Sequence, residues 1–347
     1  MSALHRPEPI LRPDARPVDR STHPADAVAW LQEGKTLRIT DHYSTGAEIL
    51  ARLRSAMALP PGASHAVRAE AERALRATML RLLAPLQDRR LALRGARPIG
   101  FLDALYPDHT SFFLPFVEIQ ELHAAWQRYR TGTHFAVIGQ RLHPFFGTYI
   151  PTRTEHLELL ATWLSQYSGA RQHAVDVGTG CGVLALMLCR AGFSTVLATD
   201  INPNAIESLS RDLGRMPTRP QITLRRGDLL DGISEAADLI VFNPPWIPGR
   251  IDSPIDQALF YEPGLLARFF AQARERLAPQ GRIVVVFSSI LQLVTPEAPH
   301  PIEAELERGA LVLVQRLQRR IKPKPDRTGR RRRTRERVEV WELARAE

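Results

Sequence analysis

Residues 173–190 read H-A-V-D-V-G-T-G-C-G-V-L-A-L-M-L-C-R. A strand-like pentapeptide runs directly into glycines at 178, 180 and 182, and these run into an apolar segment of helix formers. The glycines permit a tight turn with positive φ and let a ligand approach the backbone. The same rhythm continues downstream. S-T-V-L-A-T-D and then N-A-I-E-S-L-S-R-D-L read as strand and helix, Q-I-T-L-R-R-G and A-D-L-I-V-F as strands, G-L-L-A-R-F-F-A-Q-A-R-E-R-L as a helix, and G-R-I-V-V-V-F-S-S as a fifth strand. Near-continuous Val/Ile/Leu strands alternating with helices predict a parallel, doubly wound α/β sheet. Ligands of such sheets sit beyond the carboxyl ends of the strands.

The chain has 347 residues, enough for one large domain or two, and a hydrophobic fraction of 44% that supports a proper core. No apolar run approaches the length of a membrane span, and the first residues lack a signal-peptide core. Cys181 and Cys189, both read as lying in one helical segment, are too far apart to pair, which points to reduced thiols and a cytoplasmic home. Two cysteines without a companion Cys/His cluster argue against a metal site.

Outside the sheet region, residues 1–24 are rich in Pro and Arg and read as a disordered arm. Residues 25–130 read as a helical domain: Ala, Leu, Arg and Glu dominate to about Gln87, with apolar residues at three- and four-residue steps, Pro60-Pro61-Gly62 breaks two helices, and 116–129 adds another. Residues 131–347 form the α/β domain. It opens with a β-ribbon linker over 134–150, turning at Gly139 and Gly147, and with Thr152 and Glu155 spaced as a capping box before the next helix.

Four strand tips carry the chemistry. The first, Asp176 to Gly182, is D-V-G-T-G-C-G, which could serve a dinucleotide, although a dinucleotide fingerprint wants its third glycine one residue later. The second ends at Asp200, placed to accept both hydroxyls of a ribose. The third ends in G-D-L-L, where Asp228 is placed to accept from an adenine amino group. The fourth ends in Asn243-Pro244-Pro245-Trp246. Prolines donate no backbone hydrogen bond and hold their predecessors extended, so this tip is stiff and its carbonyls stay free. An amide side chain, a rigid carbonyl and a large ring together suit a planar nitrogen: Asn243 and the Pro244 carbonyl would accept from its N–H groups, and Trp246 would stack on it. For single tips plainer readings stand beside these: Asp200 as a cap or loop residue, Asp228 as a solvated turn residue, Trp246 as core.

As a set, the four tips resemble the class I S-adenosylmethionine-dependent methyltransferases, and N-P-P-[YFW] resembles the members that methylate a planar nitrogen. The likeness covers roughly residues 130–345. It implies a Rossmann-like seven-stranded sheet, S-adenosyl-L-methionine as cofactor, and a cofactor site made of Asp176, Gly178, Thr179, Gly180, Cys181, Gly182, Asp200, Ile201, Asp228, Leu229 and Asn243. Asn243, Pro244 and Trp246 would then be catalytic. The layout is similar to that of the HemK/PrmC-type protein-glutamine N-methyltransferases, in which P-R-P-E-T-E stands where this chain has P-T-R-T-E (Pro151 to Glu155). That likeness implies that Thr152 to Glu155 approach the cofactor. The family's N-P-P-Y is N-P-P-W here. Phe145, Phe146 and Tyr149 suit either a substrate lid or buried packing, and His134, His143 and His156 read as structural.

Between Arg316 and Arg337 stand twelve Lys/Arg and two Asp/Glu, a net +10 within a chain of +9, so the remainder sums to −1. This basic segment, centred on about 320–337, reads as the loop of a terminal hairpin: either a solvated loop or a phosphate-binding patch for nucleic acid or ribosome. The expected function is an N-methyltransferase acting on a protein glutamine or a nucleobase. The alternative is a small-molecule tailoring methyltransferase or a related sulfonium-alkylating enzyme. A third reading is a nucleic-acid-binding protein with a vestigial cofactor site.

Overall fold

The computed structural model describes residues 4–59, 65–249, 260–322 and 335–346. It divides into two units, residues 6–130 and residues 1–5 with 131–347.

The first unit is not purely helical. Its elements are β1 (Arg16–Val18), α1 (Pro24–Gln32), β2 (Leu37–Ile39), α2 (Tyr43–Ala56), α3 (His65–Met79), β3 (Leu82–Gln87), β4 (Arg90–Leu91), α4 (Leu102–Leu105), β5 (Ser111–Pro115) and α5 (Phe116–Thr131). Strands β1 to β4 lie in order in a five-stranded sheet, with β5 paired to β3. Two expectations are corrected. Arg16–Val18 pairs in parallel with Leu37–Ile39, so that part of the presumed disordered arm is a strand. Leu82–Gln87, read as the end of a helix, is a strand whose Leu82, Leu83, Ala84 and Leu86 are buried. A short apolar run of this kind carries no period that separates strand from helix, and tertiary pairing decides. Pro60-Pro61-Gly62 lies outside the described residues.

The second unit begins with a ribbon of β6 (Thr133–Phe135) and β7 (Gln140–Leu142), turning at Gly139 with φ +57°. There follow α6 (Glu155–Gln166), β8 (His173–Val177), α7 (Val183–Arg190), β9 (Thr195–Asp200), α8 (Pro203–Arg215), β10 (Ile222–Arg226), β11 (Ala237–Phe242), β12 (Ile247–Pro248), β13 (Phe260–Tyr261), α9 (Leu265–Arg276), β14 (Leu277–Ser288), α10 (Ile290–Val294), α11 (Pro301–Leu306), β15 (Leu311–Arg320) and β16 (Arg337–Arg345). The seven-stranded sheet runs β10-β9-β8-β11-β14-β16-β15. The first five strands are parallel and β16 is antiparallel to both its neighbours. Strand order reverses beside β8, so the tips of β8, β9, β10 and β11 surround the crevice where doubly wound sheets take ligands.

Both faces of the sheet are covered. Leu157, Leu160, Trp163, Val183 and Leu209 pack on one, and Phe269, Phe270, Ala273 and Ile302 on the other. Two carboxylates at the antiparallel end are buried but fully used. Glu342 accepts from Trp163 Nε1 at 2.8 Å and Gln315 Nε2 at 2.7 Å. Glu339 accepts from Arg316 at 2.7 Å and from Trp341 Nε1 at 2.8 Å. Such partners are what makes a buried charge tolerable. The basic run enters this region through Arg316, Arg319 and Arg320 on β15, but residues 323–334 lie outside the described residues.

Candidate active site

One cavity of about 260 Å³ opens at the carboxyl edge of the sheet. Its walls include Gly178, Thr179, Gly180 and Cys181 from the loop after β8, Asp200 and Ile201 from the tip of β9, Asp228 and Leu229 after β10, and Asn243, Pro244 and Trp246 after β11. The four tips singled out in the sequence thus meet around one space. Tyr149, Pro151, Asn202, Phe242 and Ile290 join them. Thr152 to Glu155 are not among the lining residues.

Two expected residues stand behind the wall. Asp176 is fully buried in β8. Its Oδ2 accepts from Thr179 Oγ1 at 2.6 Å, which closes the glycine turn. Burial lifts the carboxyl to about 7 against the Thr179 hydroxyl and the Ala185 backbone, which pull it down. Gly182, at φ +84°, caps α7 where a Cβ would collide with Leu209. Its lack of a side chain serves helix-to-helix packing.

Asp200 Oδ2 accepts from the Gly180 N–H and Oδ1 from the Asn202 N–H, each at 2.9 Å. The carboxylate therefore braces the glycine loop against the neighbouring strand. Each oxygen retains a lone pair. Burial raises this carboxyl to about 6. Asp228 pairs with Arg268, so any ligand contact there is shared with an arginine. Leu229 holds φ +52°, uncommon for a residue with a side chain, and its carbonyl accepts from Thr199 Oγ1 at 3.0 Å.

At the fourth tip, Trp246 Nε1 donates to Asn243 Oδ1 at 3.1 Å. The indole is edge-on to His156, with centroids 5.5 Å apart. His156 is buried, neither ring nitrogen has a hydrogen-bond partner, and burial lowers its pKa to about 4, so it is a neutral ring behind Trp246. The capping box is not formed. Helix α6 starts at Glu155 with Thr154 as its cap, and Glu155 instead accepts from the Lys322 N–H at 3.2 Å. Cys181 and Cys189 are free, and Cys181 lies in the glycine loop, not in the helix. Phe145 is buried beneath Arg211 and is not a lid.

Sequence reading missed what holds residues 143–148. Asn204, Ser208 and Asp212 are buried at four-residue steps along α8 and form one stripe. Asp212 accepts from the His143 N–H at 2.8 Å, Ser208 Oγ from the Phe145 N–H at 3.0 Å, and Asn204 Nδ2 donates to Phe146 O at 2.8 Å. Thr148 Oγ1 donates to Asn204 O at 3.0 Å, and Asn202 Nδ2 to Gly147 O at 2.9 Å. A polar stripe at helical spacing reads as a solvated face. Its burial follows from the strap that lies on it.

Among the described residues no cluster of three or more His, Cys, Asp or Glu is arranged to hold a metal, and no helix is long and apolar enough to cross a membrane.

A doubly wound sheet of this order, with its cavity on the glycine loop and the neighbouring strand tips, is a Rossmann-like architecture. Residues 156–297 match the model of the methyltransferase small domain family. A tRNA1(Val) (adenine(37)-N6)-methyltransferase of Porphyromonas gingivalis is 33% identical over 140 residues, 37% of this chain and 55% of the relative. The ribosomal protein uL3 glutamine methyltransferase of Bordetella pertussis is 30% identical over 172 residues, 48% of this chain and 57% of the relative. The chain thus spans little more than half the length of either. A crystal structure of ribosomal protein L11 methylase from Lactobacillus delbrueckii subsp. bulgaricus superposes on 60% of this chain and 85% of its own, at 20% identity and a TM-score of 0.42.

Proposed function

We propose that this protein is an S-adenosyl-L-methionine-dependent N-methyltransferase acting on a planar nitrogen, either a glutamine amide in a protein or a nucleobase. The observation that carries the reading is that Asn243, Pro244 and Trp246 line the same cavity as the glycine loop and Asp200. The relatives favour it over a small-molecule tailoring enzyme: one bears the name of a tRNA adenine methyltransferase, another that of a ribosomal protein glutamine methyltransferase. Cytoplasmic residence fits such acceptors.

The residues present suit the cofactor. Gly178 and Gly180 leave the backbone bare at positive φ, Asp200 offers carboxylate lone pairs to a diol, and Ile201, Leu229 and Leu265 supply apolar wall. When bound, the cofactor supplies an electrophilic methyl group on a sulfonium. Asn243 Oδ1 keeps one lone pair beside its bond from Trp246 and would accept from the target N–H, with the Pro244 carbonyl as second acceptor. These acceptors stabilise the positive charge that develops on the attacking nitrogen. No strong base is required, which agrees with a neutral His156. Trp246 would give the planar group a face to stack on.

The test is incubation of the protein with labelled S-adenosylmethionine and extract of a strain lacking its gene, followed by mass spectrometry of protein and RNA fractions. N-methylation of glutamine or of a base is the expected outcome. Label only in small metabolites, or on carbon or oxygen, would overturn the assignment.

A further inference from the structure

Resting on that functional reading, we propose that the stem of the terminal hairpin, around Arg320, Lys322 and Arg335, is the surface that holds the sugar–phosphate backbone of a nucleic-acid acceptor whose target base enters at Asn243. The strand tips stand in the sheet order β10, β9, β8, β11, β14, β16, β15. The cavity is built chiefly on the first four, where Asp228 and Asp200 suit the adenosine half of the cofactor. In-line transfer puts donor and acceptor on opposite sides of the moving methyl group. The body of the acceptor therefore lies towards β14, β16 and β15.

The hairpin stem stands on that side and at the same edge of the sheet. Strand β16 runs antiparallel to β14, with Ser288 opposite Val338, so its first residue, Arg337, lies beside the carboxyl tip of β14. Arg337 in turn pairs with Arg320, the last residue of β15. Two strand spacings separate β16 from β11, roughly 10 Å. The stem is also fastened to the cavity wall. The Ser289 N–H donates to the Arg337 carbonyl and the Arg337 N–H to Ser289 Oγ, each at 2.9 Å. Ser288 Oγ donates to Glu336 and accepts from the N–H of Ile290, which lines the cavity.

The charge there is one-sided. Arg320, Lys322 and Arg335 are exposed, and among the described residues no carboxylate pairs with them. The nearby acids are engaged: Glu158 by Arg319 at 2.8 Å, Glu155 by the Lys322 N–H at 3.2 Å, and Glu336 by Ser288 at 2.9 Å. Exposed cations of this kind displace the counterions of phosphates. A base that leaves its stack to meet Trp246 brings its flanking phosphates to this side of the cavity. An uncharged glutamine side chain has no need of them.

The experiment is fluorescence anisotropy on the full chain with labelled single-stranded RNA and DNA of about twelve nucleotides, across a range of salt. Combining Arg320→Gln, Lys322→Gln and Arg335→Gln should flatten the log–log salt slope by about 2 and weaken binding about a hundredfold near 0.1 M salt, since a single strand gives roughly 0.7 per phosphate contact. The tighter of the two strands identifies the sugar. Combining Arg12→Gln, Arg52→Gln and Arg90→Gln, exposed arginines of the first unit, removes as much charge and should leave the slope unchanged. Both variants should bind S-adenosylhomocysteine as wild type does, which reports that they are folded. If the stem variant loses that binding, the three single variants take its place, each flattening the slope by about 0.7. Equal losses in the two variants, no loss in the stem variant, or polyglutamate bound as tightly as the strands would overturn the surface. A wild-type chain that binds S-adenosylhomocysteine and neither strand removes the nucleic-acid acceptor and leaves the methyltransferase reading standing. Strand binding without any binding of S-adenosylhomocysteine would overturn the functional reading and the acceptor side with it.

Discussion

The indole N–H of Trp246 points at the side-chain oxygen of Asn243 across 3.1 Å. This bond distinguishes the oxygen of the Asn243 amide from its nitrogen. It turns the NH₂ group away from Trp246 and leaves one oxygen lone pair for an acceptor substrate. Trp246 therefore has two tasks in the proposed reaction, a stacking face and a latch on Asn243.

Substitutions separate the two. Asn243→Ala should cut kcat by about 10²–10³ and barely touch S-adenosylhomocysteine affinity, because a preorganised acceptor for the substrate is lost. Asn243→Asp keeps an acceptor and should retain partial activity. Trp246→Ala should raise KM and lower kcat together, and Trp246→Phe, which keeps the ring, should be mild. Near-full kcat for Asn243→Ala on the genuine substrate would show that the tip is scaffolding.

Asp200 gives a binding prediction. It ties the Gly180 and Asn202 amides together at the cavity wall. Asp200→Ala should weaken S-adenosylhomocysteine by about 1.5–3 kcal/mol, the usual worth of a hydrogen bond to a charged group. Calorimetry showing wild-type affinity would remove Asp200 from the site.

Asp176 gives a pH prediction. Its carboxyl, ordinarily near 3.8, is lifted to about 7 by burial. A group whose folded value is raised binds its proton more tightly when folded, so stability falls as pH rises from 3.8 towards about 7. Asp176→Asn still accepts from Thr179 and removes the titration, so this part of the slope should disappear. Hydrogen exchange of the Val175 and Val177 amides at about pH 5 and pH 8 measures it. Greater protection of wild type at the higher pH would contradict a buried, proton-binding carboxyl.

The two units were not equally legible. From His173 onwards the strands are long, apolar and punctuated by glycine, so propensity, period and turn chemistry agreed on one parallel sheet. In the first unit, strands such as Arg16–Val18, Leu37–Ile39 and Arg90–Leu91 are too short for a period; the first lies in a Pro/Arg-rich stretch that reads as disordered, and the others have Ala/Leu/Arg-rich neighbours that read as helix. The strand tips of the site were readable because each ends an apolar run with a residue that strands avoid. The α8 stripe was not, since Asn204, Ser208 and Asp212 become a buried face only through backbone groups more than fifty residues away.

That stripe yields a local stability prediction. Ser208→Ala leaves the buried Phe145 N–H without its acceptor, at a cost of about 1–3 kcal/mol. Exchange of the Phe145 amide should accelerate while the β8 amides stay protected, because the strap loosens and the sheet does not. Unchanged exchange at Phe145 would show that the strap is held without Ser208.

The basic run is tested by replacing Arg330 to Arg333 with serine. The residues lie outside the described part of the chain, and the segment from Arg316 to Arg337 holds the chain's whole positive excess. Arginines that neutralise phosphates release counterions on binding. A patch covering about six phosphates gives a log–log salt slope near −5, and each one removed flattens it by roughly 0.9. A segment that serves only phosphates leaves S-adenosylhomocysteine affinity unchanged. With an RNA or ribosomal acceptor, KM should rise and its salt dependence flatten. With a free protein acceptor lacking phosphates, neither should move. Unchanged kinetics on the genuine substrate would therefore sink the phosphate patch and leave the segment as a solvated loop, and loss of cofactor binding in the same variant would show that these arginines serve the fold instead.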